Sequence, residues 1–308
     1  MSETAITALS EMAKADLSET AKAALSETAK ADLSKQSLAS SKLKSRMDAG
    51  NSLLCVGLDP ELSKLPARFK TTSHPLFEFC RFVIDATAEF ACAFKPNTAF
   101  FEAHGSRGWD ELAMVFAHLR AHHPQHFTVC DAKRADIGST NRGYVQAVFD
   151  ELGADAITLH PYLGREALAP FLEREDKASI ILCRTSNAGA GELQDLMSDG
   201  KPFWQHVAER VDTQWNTKGN CMLVVGATYP QEMQRIREAA PEMTFLVPGI
   251  GAQGGDIEAT VRAGLRADGQ GLILSSSRAI LYSNDPAAAA RDTRDAINAV
   301  RETLHATR

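Results

Sequence analysis

The 308 residues are 44% hydrophobic and 23% charged, a globular balance with enough apolar material for one barrel-sized domain or two smaller ones. A net charge of −6 (33 Lys+Arg against 39 Asp+Glu) argues against a nucleic-acid-binding surface but leaves room for a local anion site. A mean hydropathy of −0.20 and the lack of an apolar run near about 18 residues exclude a spanning helix, so no membrane partner is expected.

The opening stretch, MSETAITALSEMAKADLSE, has no basic region followed by an apolar one, and no secretory signal is expected there. It begins an imperfect octad: LSEMAKAD from Leu9, LSETAKAA from Leu17, LSETAKAD from Leu25 and LSKQ from Leu33. Ala, Glu, Lys and Leu favour helix, but an eight-residue period rotates each successive Leu by about 80°, so no continuous apolar stripe forms. Residues 1–42, without aromatic, Gly or Pro, are therefore expected to be a solvated extension, disordered or partly helical, ahead of a folded domain over residues 43–308.

From Leu43 the rhythm changes. Strand candidates fall at LLCVGLD (53–59), ACAFKPN (91–97), FTVCDAK (127–133), DAITLHP (155–161), SIILCRTS (179–186), CMLVVGA (221–227), TFLVPGIG (244–251) and GLILSSSR (271–278). Helical spacing lies between them: Leu76, Phe79, Cys80, Val83; Leu112, Val115, Phe116, Leu119; Trp204, Val207, Ala208, Val211. A closing helix is expected in DPAAAARDTRDAINAVRETL. Eight strand–helix repeats in about 265 residues predict a single (β/α)8 TIM barrel of the α/β class rather than a doubly wound sheet. The six cysteines, never closer than twelve residues, read as reduced core residues of a cytoplasmic protein, not as a disulfide framework or zinc site.

Nearly every strand candidate ends in polar or special residues: Asp59, Lys95 with Asn97, Asp131 with Lys133, His160, Ser186, Pro248, and Ser277 with Arg278. Barrel active sites form where those ends converge. The densest cluster is DAKRAD, Asp131 to Asp136. Strand alternation puts Asp131 and Lys133 on one side, and Asp136 falls in a turn before a helix that Ser139 or Thr140 is placed to cap. Carboxylates beside Lys95 and Lys133 keep both amines protonated, which disfavours a Schiff-base lysine but suits stabilising and then protonating a carbanion. Proton transfer at carbon, or loss of CO2 followed by protonation, is the chemistry such an array fits.

A second constellation, PGIGAQGG (248–255) with SSSR (275–278), follows strands seven and eight, where barrels bind phosphate; Arg278 brings forked donors. Its GxGxxG spacing (Gly249, Gly251, Gly254) does not define a dinucleotide fold by itself, and the only acid at a suitable distance, Asp268, precedes a strand. His118 and His122 stand at i, i+4, but no acid or third ligand is evident in sequence, so exposed histidines and no metal are expected. Ser275–Ser277 lacks a GxSxG context.

DAKRADIGST, preceded by AFKPNTAFFE and followed by PYLG, RTSN, VVGAT, VPGIGAQGG and SSSRAILY, resembles orotidine 5′-phosphate decarboxylases, and the KPN and DAKR-DIG forms are similar to their type 2 branch. The resemblance runs from about Leu43 to the C-terminus. It implies cofactor-free conversion of orotidine 5′-phosphate to UMP and CO2, with Lys133 protonating C6, Asp131 beside the departing carboxylate and Lys95 completing the network. It further implies a homodimer in which Asp136, with Ile137 and Thr140, enters the neighbouring site. Asp59 and Lys95 would meet ribose hydroxyls, Ser186 the pyrimidine edge and Pro248 its face, with Gln253, Ser277 and Arg278 on the phosphate. Asn97 stands where the other main branch places a histidine. The alternatives are a metal-dependent sugar-phosphate aldolase or isomerase, or a related decarboxylase, on the same barrel, and a non-catalytic phosphate-ligand binder.

Overall fold

The computed structural model describes residues 37–250 and 256–306. The octad of residues 1–36 and Gln253 lie outside them. Eight strands are laid down in chain order: β1 (Leu54–Leu58), β2 (Ala93–Pro96), β3 (Phe127–Arg134), β4 (Ala156–Leu159), β5 (Ala178–Arg184), β6 (Cys221–Val225), β7 (Phe245–Pro248) and β8 (Leu272–Ser276). Each is parallel to its neighbours, and pairing of β1 with both β2 and β8 closes the barrel. The strands read as nearly unbroken apolar runs because one face fills the barrel while helices cover the other; β1, β2, β4, β6 and β8 are buried at every residue.

The helical spacings seen in the sequence fall on α2 (Pro75–Thr87), α3 (Gly105–His122) and α6 (Phe203–Arg210), whose apolar positions are buried; Val211 continues the last of these into a wider turn. Between α2 and α6 come α4 (Gly138–Val145) and α5 (Gly164–Leu172), and after them α7 (Pro230–Ala239), α8 (Ile257–Gly264) and the closing α9 (Pro286–Ala306). The fit between α3 and the short helix Ala99–Glu102 is close: a Cβ on Gly108 would lie 1.8 Å from the Phe101 carbonyl oxygen.

Two elements depart from the sequence reading. The helix α1 (Leu38–Gly50) begins before the compositional break at residue 43. Ser37 caps it by accepting from the Ser40 N–H, and Ala39, Leu43 and Met47, one turn apart, are buried. Lys42, assigned to the extension, pairs with Asp155 at 2.7 Å. Only three apolar positions in a Ser- and Lys-rich stretch carry this helix, so composition conceals it. The second departure is a small antiparallel hairpin, Met197–Ser198 with Lys201–Pro202, turned through Asp199 and Gly200, both at positive φ as a two-residue hairpin turn demands.

All six cysteines are free and buried. Burial pushes the Cys55 and Cys130 thiols up to about 12, so both stay protonated core residues.

Candidate active site

Parallel register brings the polar strand ends to one mouth. Lys95 lies on β2 opposite Gly57 of β1, and Asn97 just beyond β2 bridges to Asp131 of β3. The Asp131 carboxylate is the hub: Oδ2 accepts from Lys95 Nζ at 2.8 Å, while Oδ1 accepts from Lys133 Nζ at 2.6 Å and from the Thr158 hydroxyl at 2.9 Å. Lys95 and Asp131 are only 5% and 7% exposed, whereas the Lys133 side chain is half-exposed and presents its ammonium to the mouth. Burial alone would lower the Lys95 pKa; Asp131, and after it Asp59, more than reverse this, and the ammonium is held above its ordinary value. Burial likewise pushes the Asp131 carboxyl up, but Lys95 and Lys133 overcome it and hold the group well below the usual carboxylate range. The arrangement is a preformed row of alternating fixed charge.

The backbone pays for this alignment. Lys133 sits at φ +45°, in the left-handed region that only glycine enters freely, where the β3–β4 register shifts between Cys130 and Arg134. Its N–H donates to Thr158 Oγ1 at 3.0 Å. Thr158 therefore fixes both Lys133's backbone and Asp131's carboxylate, a role that nothing within DAITLHP signals. Arg184, buried at the end of β5, also escaped the sequence reading; its guanidinium stacks on Tyr229 at 4.1 Å and reaches Gln194 and Asp195.

Next to the array, and sharing Lys95 with it, Asp59, Lys95, Pro248, Gly249, Ser275, Ser277 and Arg278 line one pocket. Ser277 donates to Asp59 Oδ2 at 2.6 Å, and Asp59 Oδ1 is buried with no hydrogen-bond partner among the described residues, an acceptor suited to a ligand hydroxyl. Gly57 and Gly226 permit close approach: a Cβ on either would lie 2.8 Å from Ser277 or Ser186 respectively. Arg278 is exposed at the start of a short helix, Arg278–Leu281.

Asp136, Ile137 and Thr140 are not drawn into this array. Asp136 Oδ1 accepts from the Ile137 N–H at 2.7 Å, and its own N–H donates to Asn141 Oδ1 at 2.8 Å. Neither Ser139 nor Thr140 caps α4; the cap position is Ile137, and the buried Asn141 side chain holds the loop instead. A larger depression of about 560 Å³ between α4 and α5, bordered by Arg142, Asp150 and Glu166, contains none of the charge-array residues.

The closed barrel removes the dinucleotide-fold alternative, and Asp268 pairs with Arg266 at 2.6 Å. The histidines also differ from expectation. His122 is exposed, but His118 is nearly buried, and it shares with His123, rather than with His122, the Oδ1 of Asp85 of α2, the acid that could not be found in sequence. Adjacent helices of the barrel, not helical spacing within one, bring these groups together.

A (β/α)8 enzyme with a Lys–Asp–Lys array at the carboxyl mouth of its strands is the class this architecture defines. The model of the orotidine 5′-phosphate decarboxylase / HUMPS family matches residues 52–293, and the chain belongs to that family. It is 50% identical over 264 residues, 83% of this chain and 97% of the relative, to an orotidine 5′-phosphate decarboxylase of Janthinobacterium sp. (strain Marseille). The structure of Leishmania donovani OMP decarboxylase superposes with a TM-score of 0.76 at 42% identity, covering 85% of this chain and 97% of that one. Leishmania donovani UMP synthase gives 0.78 at 45% identity, with 84% of this chain matching 56% of that chain. These relatives lend no support to the metal-dependent aldolase or isomerase alternative.

Proposed function

We propose that the chain decarboxylates orotidine 5′-phosphate to UMP and CO2, using the Lys95–Asp131–Lys133 array. In that reaction the bond between C6 and its carboxylate breaks, its electron pair stays on C6, and a proton from Lys133 Nζ takes the place of CO2. A C6 carbanion lies in the ring plane and is not delocalised into a carbonyl, so stabilisation must come from charge already in place. The observation that carries this reading is the two-sided clamp on Asp131: Lys95 and Lys133 both donate to one buried carboxylate, which their charges hold well below the usual carboxylate range. Asp131 would face the substrate carboxylate and raise its ground state, while Lys133, half-exposed, has the reach to protonate carbon.

The orphan Asp59 Oδ1 and the remaining donors of Lys95 suit ribose hydroxyls; Ser277 and Arg278, with Gln253, would hold the phosphate, and Ser186 and Pro248 the pyrimidine, beside Asn97. Binding of the remote phosphate would contribute to activating the distant carboxylate. No step uses a cofactor or metal. We further propose a homodimer with shared sites: Asp136 is turned to its own loop, and Ile137 and Tyr162 stand 61% and 82% exposed on the same rim. The buried free thiols suit the cytoplasm.

The test is the absorbance decay of orotidine 5′-phosphate with exhaustively chelated protein beside Lys133→Ala. UMP formation by the wild type alone supports the reading, and no turnover by folded protein refutes it. For the shared site, Lys133→Ala and Asp136→Ala chains, each inactive, should regain activity on mixing; no recovery despite subunit exchange would sink it.

A further inference from the structure

The amino-terminal face of the barrel, opposite the charge array, carries a cluster for which the decarboxylation has no use. The α2 helix ends at Thr87, ahead of β2, and α3 ends at His122, ahead of β3, so both carboxyl ends open on that face. Asp85 in the last turn of α2 receives two imidazoles from α3 and its exit: His118 Nε2 at 2.7 Å and His123 Nε2 at 2.9 Å, both on Oδ1. One ligand atom from each of the three residues lies within 4.8 Å of the others.

We propose that Asp85, His118 and His123 bind a divalent transition-metal ion of the zinc class, fastening the carboxyl end of α2 to that of α3. The donor set selects this class: two imidazoles and one carboxylate suit zinc, cobalt or nickel, whereas magnesium and calcium require oxygen ligands. The geometry is nearly assembled. Ligand atoms bound at about 2.0–2.1 Å in a tetrahedron stand roughly 3.3 Å apart, so Asp85 Oδ1 withdraws by about half an ångström while the two imidazole nitrogens, now within 4.8 Å, settle to the same spacing. The Asp85 side chain, 46% exposed, has that freedom, and the two imidazoles, at 9% and 16%, are largely enclosed. Phe77 lies edge-on to the His118 ring at 6.3 Å, and Phe94 packs beside His123 at 6.5 Å. The open side at Asp85 admits water as a further ligand.

The helix dipoles favour a cation here, set against the nearby charges of Arg81, which interacts with Asp85, and of Arg46 and Arg294, which border a pocket with His123. Both helices direct their negative dipole ends at the cluster. In the charge array, by contrast, Lys95 and Lys133 already occupy Asp131 and exclude a metal ion from it. Metal binding requires the Nε2 lone pairs, so each neutral ring carries its proton on Nδ1 in the bound form. No redox or covalent step is involved; the ion is a clamp remote from the chemistry.

The experiment uses full-length, tag-free, chelator-stripped protein titrated with Zn2+ by calorimetry and with Co2+ by visible absorption, with Mg2+ as the control ion. One ion per chain is expected, together with a rise in melting temperature that Mg2+ does not produce. His118→Ala, His123→Ala and Asp85→Asn should each weaken binding by at least the roughly 10–100-fold that loss of a ligand's outer-shell partner causes. His122→Ala should retain it, although its ring lies 4.6 Å from His118. Circular dichroism and unchanged turnover of orotidine 5′-phosphate identify variants that remain folded. The Co2+ spectrum of the wild type tests the ligands without any substitution, since a sulfur charge-transfer band would assign the ion to cysteine and overturn the proposal. No uptake by the wild type, undiminished uptake by the triple variant, or equal loss in His122→Ala would also overturn it.

Discussion

Thr158→Val tests how the charge array is held. Valine keeps the shape of threonine but removes the hydroxyl that donates to Asp131 Oδ1 at 2.9 Å and accepts from the Lys133 N–H at 3.0 Å. Thr158 is 1% exposed beneath Asp131, so substrate does not touch it and KM should change little. An unsatisfied N–H costs about 1–3 kcal/mol, and the left-handed backbone of Lys133 stores a similar amount, about 1–3 kcal/mol. Without its anchor that backbone relaxes, and the ammonium moves off line. At about 1.4 kcal/mol per decade, a shift of this size lowers kcat roughly 5- to 150-fold. Global stability should fall by only about 1 kcal/mol, because release of strain offsets part of the lost bonding. Steady-state decay of orotidine 5′-phosphate absorbance gives kcat and KM, and urea unfolding gives stability. Thr158→Ser, which restores the hydroxyl, should recover most of kcat. A kcat within about twofold of wild type beside a clear loss of stability would make Thr158 merely structural and refute the reasoning.

Three further outcomes are expected. Asp131→Asn leaves the Lys95 ammonium buried and unpaired, at a cost of about 3–5 kcal/mol in urea unfolding near neutral pH. Because the folded Asp131 pKa is depressed, its contribution is complete above the unfolded value of about 3.9 and fades as pH falls toward the folded one, so the gap to wild type should narrow below about pH 4. The raised Lys95 pKa makes its share complete below about 10.4 and lost as pH rises through the folded value; a gap independent of pH would contradict both assignments. Gly108→Ala drives a Cβ into the Phe101 carbonyl and should destabilise by about 1–3 kcal/mol or more, a result that an unchanged melting temperature would refute. Leu43→Ala should cost about 2–5 kcal/mol by the same measure, whereas a chain starting at Ser37 should keep the melting temperature of the full chain; the reverse pattern would remove α1 from the folded unit.

Amino-acid order alone determined the barrel and placed polar residues at the strand ends of its mouth. Strand and helix periods are local properties, legible in runs such as FTVCDAK and in Leu112–Val115–Phe116–Leu119, and the count of eight repeats then leaves few ways to bury them all. Alternation along one strand likewise put Asp131 beside Lys133. Only the tertiary structure decided which strangers meet. Thr158 reaches Asp131 and Lys133 because β4 pairs with β3 at one register and a local shift turns Lys133 to positive φ. Asp85 finds His118 and His123 because neighbouring helices pack side by side, although more than thirty residues of chain separate them. The start of the folded unit was hidden too, since α1 owes its place to three buried apolar side chains and to the Lys42–Asp155 pair rather than to any strong pattern of its own. Periodicity is written along the chain, while register and closure are settled only when the whole barrel packs.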